Sequence, residues 1–394
     1  MKCETIQLNA TSLGEGVATL RHQLRALGLG LPSFSSVHIS TDHPGAVLPF
    51  TLGGGALHVA TSCQVVATQD GPAEAAGSVS VAAFVLWDDE GDYGTASLPL
   101  ATAPKEAAAN AVKLALERAG RLGEAPNLIW VSPTPGQEEA VLQGIEQVVG
   151  TKVPVVGGSA ADATITGTWW VGDGTVNHAA GVTVSVLFPS RPISVAYQNG
   201  YAPTGQSGSV TKATGRRVFE IDGTPAAQVY ADWTDGALCT TPPATETGIL
   251  AESTLWPLGR KATDIADVPV YLLSHPSAHS PEGALDFFTD IAVGDVLHQM
   301  TGSADGLVTR AGRVATMARD GLPQGSAPTG ALMVYCGGCM LAVRDRVDDI
   351  TDGVRTALAE VPFLTTFTFG EQGPVPGLGN RHGNLMIVCI VFGT

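Results

Sequence analysis

The chain is poor in positive charge. Its 394 residues carry 21 lysines and arginines against 37 aspartates and glutamates, a net charge of −16. A surface of that sign repels phosphate backbones, and no basic stripe with interleaved aromatics offsets it. No nucleic-acid partner is expected. Long apolar runs are also missing. The longest, "LMIVCIVF", falls far short of the roughly 20 residues of a spanning helix, so no membrane partner is expected. The opening residues, "MKCETIQLNATSLGEG", lack the apolar segment of a signal peptide. Cysteines number only 6, too sparse for a disulfide framework. These absences predict a soluble, reduced, cytoplasmic protein.

What is present reads as globular. Apolar residues make up 44%, with 48 glycines and 25 prolines, the composition of a turn-rich α/β or α+β protein. The length exceeds one ordinary core, so two or more domains are expected.

An internal repeat organises the chain. "NLIWVSPTPGQEEAVLQGIEQVVGTKVPVVGGSAAD", from Asn127, parallels "ALMVYCGGCMLAVRDRVDDITDGVRTALAEVPFLTTFTFGEQ", from Ala331. Each starts with a β-rich run, then a Gly-containing loop and a stretch of helical spacing. Val141, Ile145 and Val148 share one face in the first copy; Val347, Ile350, Val354 and Leu358 do so in the second. Val-Pro and a second apolar run follow. "NHAAGVTVSVLF" then ends at Phe188 and "RHGNLMIVCIVF" at Phe392, 204 residues apart, as are His178 and His382. A fainter copy opens the chain: "SVHIS", "ALHVATSCQVVATQDG" and "GSVSVAAFVL". The fold class is therefore α/β (mixed α+β): duplicated sandwich units with mixed β-sheets flanked by helices. The middle differs, with a strand, an Asp222-Gly223 turn and a helix starting near Pro225 in "TKATGRRVFEIDGTPAAQVYADW". A boundary near Thr214 divides the chain into two domains, 1–214 and 215–394.

Six segments in this order resemble the FIST domain family: "ATSCQVVATQDG", "VPVVGGSAADA", "EIDGTPAAQVY", "VYCGGC", "FTFGEQGP" and "HGNLMIV". The similarity runs over nearly the whole chain, with 1–214 like the FIST N-terminal part and 215–394 like the C-terminal part. The resemblance implies an intracellular sensory module for a small ligand such as an amino acid. With no room for an output domain, the signal would leave through a separate protein partner. Some members resemble haem-dependent nitric-oxide sensors that work with a partner kinase, which leaves haem open as a cofactor. His382, His178 and His298 are then the histidines considered, with no choice among them. Where the family pattern has Arg after "Cys-x-Gly", this chain has Cys339, so an anion contact made by that Arg would be lost.

The residues themselves offer several sites. Cys336 and Cys339 have C-x-x-C spacing after a strand and before a helix, as in redox dithiols. As zinc ligands they need a second pair. Cys239 and Cys389 have no cysteine neighbour, and His275 and His279 lie far upstream with Pro276 between them, so no metal site is expected. Counted by the repeat, Cys336 matches Ser132 at the end of a β-rich run, where sites in α/β units lie. This favours Cys336 as a site-lining thiol, with Cys339 incidental. Glu371, between Gly370 and Gly373, could orient an amine or act as a general base. His382 and Asn384 follow just before the last strand. Ser159 and Asp162, in "VVGGSAADA", line a pocket or cap a turn. Trp169 and Trp170 point to opposite faces of a strand, one into the core and one over a cleft. The leading expectation is a sensor that binds a small polar metabolite, an amino acid or carboxylate, between 159–162 and 370–373. The alternatives are an enzyme with Cys336 as nucleophile and His382 or Glu371 as base, and a haem protein.

Overall fold

The computed structural model describes residues 1–41, 50–74, 79–265 and 267–394. Three units share one strand pattern. In each, a strand and a helix lead to a central strand. Lys2–Ala10 and Leu13–Ala26 precede Phe34–Thr41; Asp92–Pro99 and Pro104–Arg118 precede Leu128–Pro133; Ile193–Asn199 and Ala304–Asp320 precede Pro328–Cys336. The central strand pairs in parallel with the next one: Ala56–Thr61, Val155–Gly158 or Phe363–Thr368. It pairs antiparallel with the last strand of its unit: Val79–Trp87, Gly181–Phe188 or Met386–Gly393. In "GSVSVAAFVL", Gly77 and Ser78 lie outside the described residues.

Local chemistry explains these elements. Parallel pairing needs a crossover, made by the helices Glu138–Val149 and Val347–Ala357 in the second and third units. Each buries its apolar stripe, Val141, Leu142 and Ile145 in one and Val347, Ile350 and Val354 in the other. Ser12 and Ser303 cap two preceding helices by accepting the N–H groups of Glu15 and Gly306. The central strands are covered on both faces and read as continuous buried runs. Trp130, Tyr335 and Phe367 are fully buried in the shared core.

Each unit then gives a hairpin to a neighbour. Val65–Thr68 with Gly71–Glu74, from the first unit, adds to Phe363–Thr368 of the third. Glu371–Val375 with Gly379–Gly383, from the third, adds to Val155–Gly158 of the second. Val171–Gly172 with Asn177–His178, from the second, adds to Ala56–Thr61 of the first. The exchange is cyclic and produces three six-stranded sheets. Strands from both sides of residue 214 therefore share two of these sheets. Between Ile193–Asn199 and Ala304–Asp320 the chain inserts a nine-stranded sheet, which begins with Ala202–Thr214. This is the stretch whose sequence departs from the repeat. Among the described residues, no helix is long and apolar enough to cross a membrane.

The ladders correct two equivalences drawn by counting. Three matching bonds tie the units together: Cys63 N–H to the Phe367 carbonyl, Ala161 N–H to Thr61 and Phe369 N–H to Ser159. They align Thr61, Ser159 and Phe367. The parallel registers then set Pro133 against Tyr335, so Cys336 corresponds to Thr134, not Ser132. In the hairpins, Val171 faces His178 and Glu371 faces Gly383. His178 thus matches Gly383, one residue beyond His382. A one-residue slip reverses the sheet face, so the two histidines are not equivalents.

Candidate functional site

A cavity of about 370 Å³ opens where the second unit, the third unit and the inserted sheet meet. Its walls are largely apolar: Ile165, Trp169, Leu250, Phe288, Leu341 and Phe369. Polar groups are few, with Cys336, Asn384, His275, Thr166, Thr368, Glu138 and Arg216 among them. Trp169 stands edge-on to Phe369 at 6.1 Å, while Trp170 is buried in the core of the first unit. Asp162 shapes the overhanging loop. Its Oδ2 accepts the Thr166 N–H at 2.8 Å and the hydroxyls of Thr164 and Thr168 at 2.9 and 3.0 Å. In that loop Ile165 is held at φ 56°, a conformation unfavourable for a β-branched residue.

Cys336 ends its strand at the cavity wall and is 5% exposed. Burial pushes its thiol well above the ordinary range, and the adjacent Cys339 thiol adds to this. The N–H groups of Cys339 and Leu385 only partly oppose the shift. Cys339 lies inside the wall, 3.5 Å from the Tyr201 hydroxyl. Glu371 sits behind Cys336, fully buried. Its two oxygens accept from the Thr368 hydroxyl at 2.9 Å and the Met386 N–H at 3.0 Å. Burial, then Cys336, raises this carboxyl well above the carboxylate range. A neutral thiol is a weak nucleophile. The buried, raised thiol argues against Cys336 as a nucleophile.

A polar network closes the other end. Glu138 accepts from the Ser159 hydroxyl at 3.0 Å and from Gly136 N–H at 3.0 and 3.1 Å. Arg216 Nη2 donates to Glu138 at 2.7 Å and to Glu139 at 2.8 Å, while its Nε reaches Asp290 at 3.1 Å. Burial alone would raise the Glu138 carboxyl, but His382 and the Arg216 guanidinium outweigh it and hold it below the usual range. His382 packs alongside, Nδ1 3.2 Å from Gln372 Nε2 and Nε2 3.4 Å from the Phe288 carbonyl oxygen. Glu138, Glu139 and His382 offer ligand atoms within 4.8 Å of one another, a group with metal-ligating chemistry. Arg216 already supplies the cation to its two carboxylates.

The residues singled out by sequence separate into groups. Cys336 and Asn384 line the cavity; Glu371 stands directly behind Cys336. Ser159 and His382 belong to the closing network, and Asp162 holds the loop. Residues 159 and 370 leave no gap for a ligand, since Ser159 N–H donates to the Gly370 carbonyl at 2.8 Å. The opening lies beside them. Ser132 is elsewhere: its hydroxyl meets His58 Nε2 at 2.9 Å in a buried polar cluster. Of the histidines considered for haem, His298 stacks against Tyr271 at 5.2 Å, His178 lies in the exchanged hairpin, and both ring nitrogens of His382 have neighbours. None of the three lines the cavity. Sequence reasoning missed Glu138, Arg216 and His275. Glu138 looks like an ordinary first-turn acid, and no local signal marks the other two, which arrive from the inserted sheet.

No curated protein sequence matches the chain significantly. Among solved structures, a cyanuric acid hydrolase from A. caulinodans matches at 9% identity over 99% of this chain and 98% of that one, with a TM-score of 0.35. PurLQS from Thermotoga maritima matches at 10% identity over 88% and 75%, with a TM-score of 0.23. Similarities that low carry no functional argument. The FIST N domain model matches residues 43–224 and the FIST C domain model matches residues 226–374. With most of its length covered by both parts, the chain belongs to the FIST family.

Proposed function

We propose that this chain is a sensory protein that binds a small metabolite of amino-acid size, with an apolar body, and signals through a separate protein partner. FIST domains are associated with sensory, ligand-binding signalling. The cavity carries the reading: about 370 Å³, apolar walls and a few polar groups, the makeup of small-molecule sites. In this reading Trp169, Phe288 and Phe369 take the apolar body, and Asn384, His275 and Glu138 take the polar end. The charges narrow the ligand further. Arg216 is shared among three carboxylates, and burial keeps His275 neutral. A carboxylate would therefore face net negative charge, so the surroundings favour an amine or a neutral amide.

Thermal-shift and calorimetric titrations test this. The probes are aromatic and branched amino acids, with their amides, amines and carboxylates. Amine and amide probes at about 100 times Kd should stabilise the fold by about 2.7 kcal/mol. If none of them shifts the melting temperature, the reading fails. If carboxylates alone do so, the charge argument fails.

A further inference from the structure

Among the described residues, one buried polar atom of a cavity-lining side chain has no partner. His275 is 2% exposed and lines the cavity beside Cys336, Gly338 and Asn384. Three contacts hold it in place. Its backbone N–H donates to Asn384 Oδ1 at 3.2 Å. Its ring stands edge-on to Phe288 at 6.0 Å. The ring also hydrogen-bonds to the Leu250 backbone. Nε2 is the nitrogen without a partner; with the Leu250 bond made by Nδ1–H, the lone pair stays on Nε2. A buried acceptor without a donor is costly, and such groups in native proteins point to a role. Gly338 borders the same wall: a Cβ there would lie 3.6 Å from both Cys336 Sγ and His275 Cε1 and 3.8 Å from His275 Nδ1, so a larger side chain would fill the space beside the ring.

We propose that His275 Nε2 accepts a hydrogen bond from a neutral N–H or O–H group on the cavity's ligand, and so selects amides, indoles or phenols over isosteres that lack the donor. The assignment rests on the cavity being a ligand site. A pocket that hydrogen-bonds its ligand rejects the analogue lacking the group, because a buried polar atom is then left unpaired. The apolar walls supply affinity that both members of an isosteric pair share. His275 supplies the difference.

Matched probes test the assignment in the unmodified protein. Indole is compared with benzofuran, and phenol with anisole, by ligand-observed NMR and calorimetric titration. The donor-bearing member of each pair should bind about tenfold more tightly. His275→Phe should close that gap while benzofuran keeps its affinity, and Gly338→Val should weaken all four probes. Equal affinities within both pairs overturn the role of His275 and leave the cavity reading standing. If no member of either pair binds, the cavity reading falls and the assignment with it. The wild-type comparison decides even where a variant does not fold.

Discussion

Acid should unfold this protein by charging histidines that the fold keeps neutral. His38, His58 and His275 are 1%, 0% and 2% exposed. Burial lowers His38 to about 3 and His275 to about 4. It drives His58 well below the ordinary value, with nearby His38 adding to the effect. The His58 ring nitrogens face the hydroxyls of Ser185 and Ser132, both at 2.9 Å, and among the described residues no carboxylate contributes to its shift. In the unfolded chain each histidine titrates near 6.5. By pH 5 the unfolded state holds about three histidine protons that the native state refuses, and at pH 6.5 about half that number. Glu371 opposes them with at most one, because burial raises its carboxyl and the unfolded chain releases the proton more readily. The net is about two protons near pH 5 to 5.5 and about half a proton at pH 6.5, each proton worth about 1.36 kcal/mol per pH unit. Stability therefore rises with pH across this window, and about 3 kcal/mol is lost on going down it. That is a large part of the roughly 5–15 kcal/mol typical of a folded protein. Potentiometric measurement of proton uptake on urea unfolding at pH 5.5 gives the count directly. Uptake near two protons, reduced by about one in His58→Asn, is expected. Zero uptake, or uptake that His58→Asn leaves unchanged, would refute the reasoning.

Other outcomes follow from the site. Arg216→Met strands the buried Glu138 carboxylate and should cost about 3–5 kcal/mol in urea unfolding; adding Glu138→Gln should recover most of it, and simple additivity would contradict the pairing. Gly370 holds φ 141°, and a Cβ there would lie 2.5 Å from His382 Cε1. Gly370→Ala should thus cost on the order of 1–3 kcal/mol and move the His382 imidazole NMR signals; a neutral change would show that the loop yields. Iodoacetamide should label Cys336 slowly at pH 7, because its thiol is buried and neutral; fast labelling would revive the nucleophile reading. Cys339→Ser should leave indole binding unchanged, whereas Cys336→Ser, at the cavity wall, should alter it.

The repeat was legible because each unit spells out apolar strands and an amphipathic crossover in the same order. Its phase was not. Phe392 pairs with Gly330, the counterpart of Leu128, and Leu128 pairs with Leu187, so a count anchored on Phe188 and Phe392 slips by one residue. Unequal segments between central and last strands carry the central-strand count off by two. One residue is enough to turn His382 and His178 to opposite faces. Cys336 and Asn384 were readable as cavity residues because both lie at the margins of core strands. Trp169 was legible as a cleft cover by alternation with Trp170. His275 and Arg216 reach the site from the inserted sheet, and no spacing in the chain encodes that approach. Glu138 could be read only as a helix-start acid until Arg216 and His382 were seen beside it.

The cyclic hairpin exchange governs how the chain assembles as it leaves the ribosome. Ala56–Thr61 waits for Val171–Gly172 to cover its edge, and Val155–Gly158 waits for Glu371–Val375. Val65–Thr68 has no sheet to join until Phe363–Thr368 is made. Neither of the first two units can finish folding when its own residues are complete. Pairings this distant in sequence form slowly, and open strand edges invite pairing with other chains meanwhile. A nascent chain stopped before Phe363 leaves the Val155–Gly158 edge open and the Val65–Thr68 hairpin without its sheet, so aggregation of early-terminated chains follows from the same ring closure that stabilises the finished protein.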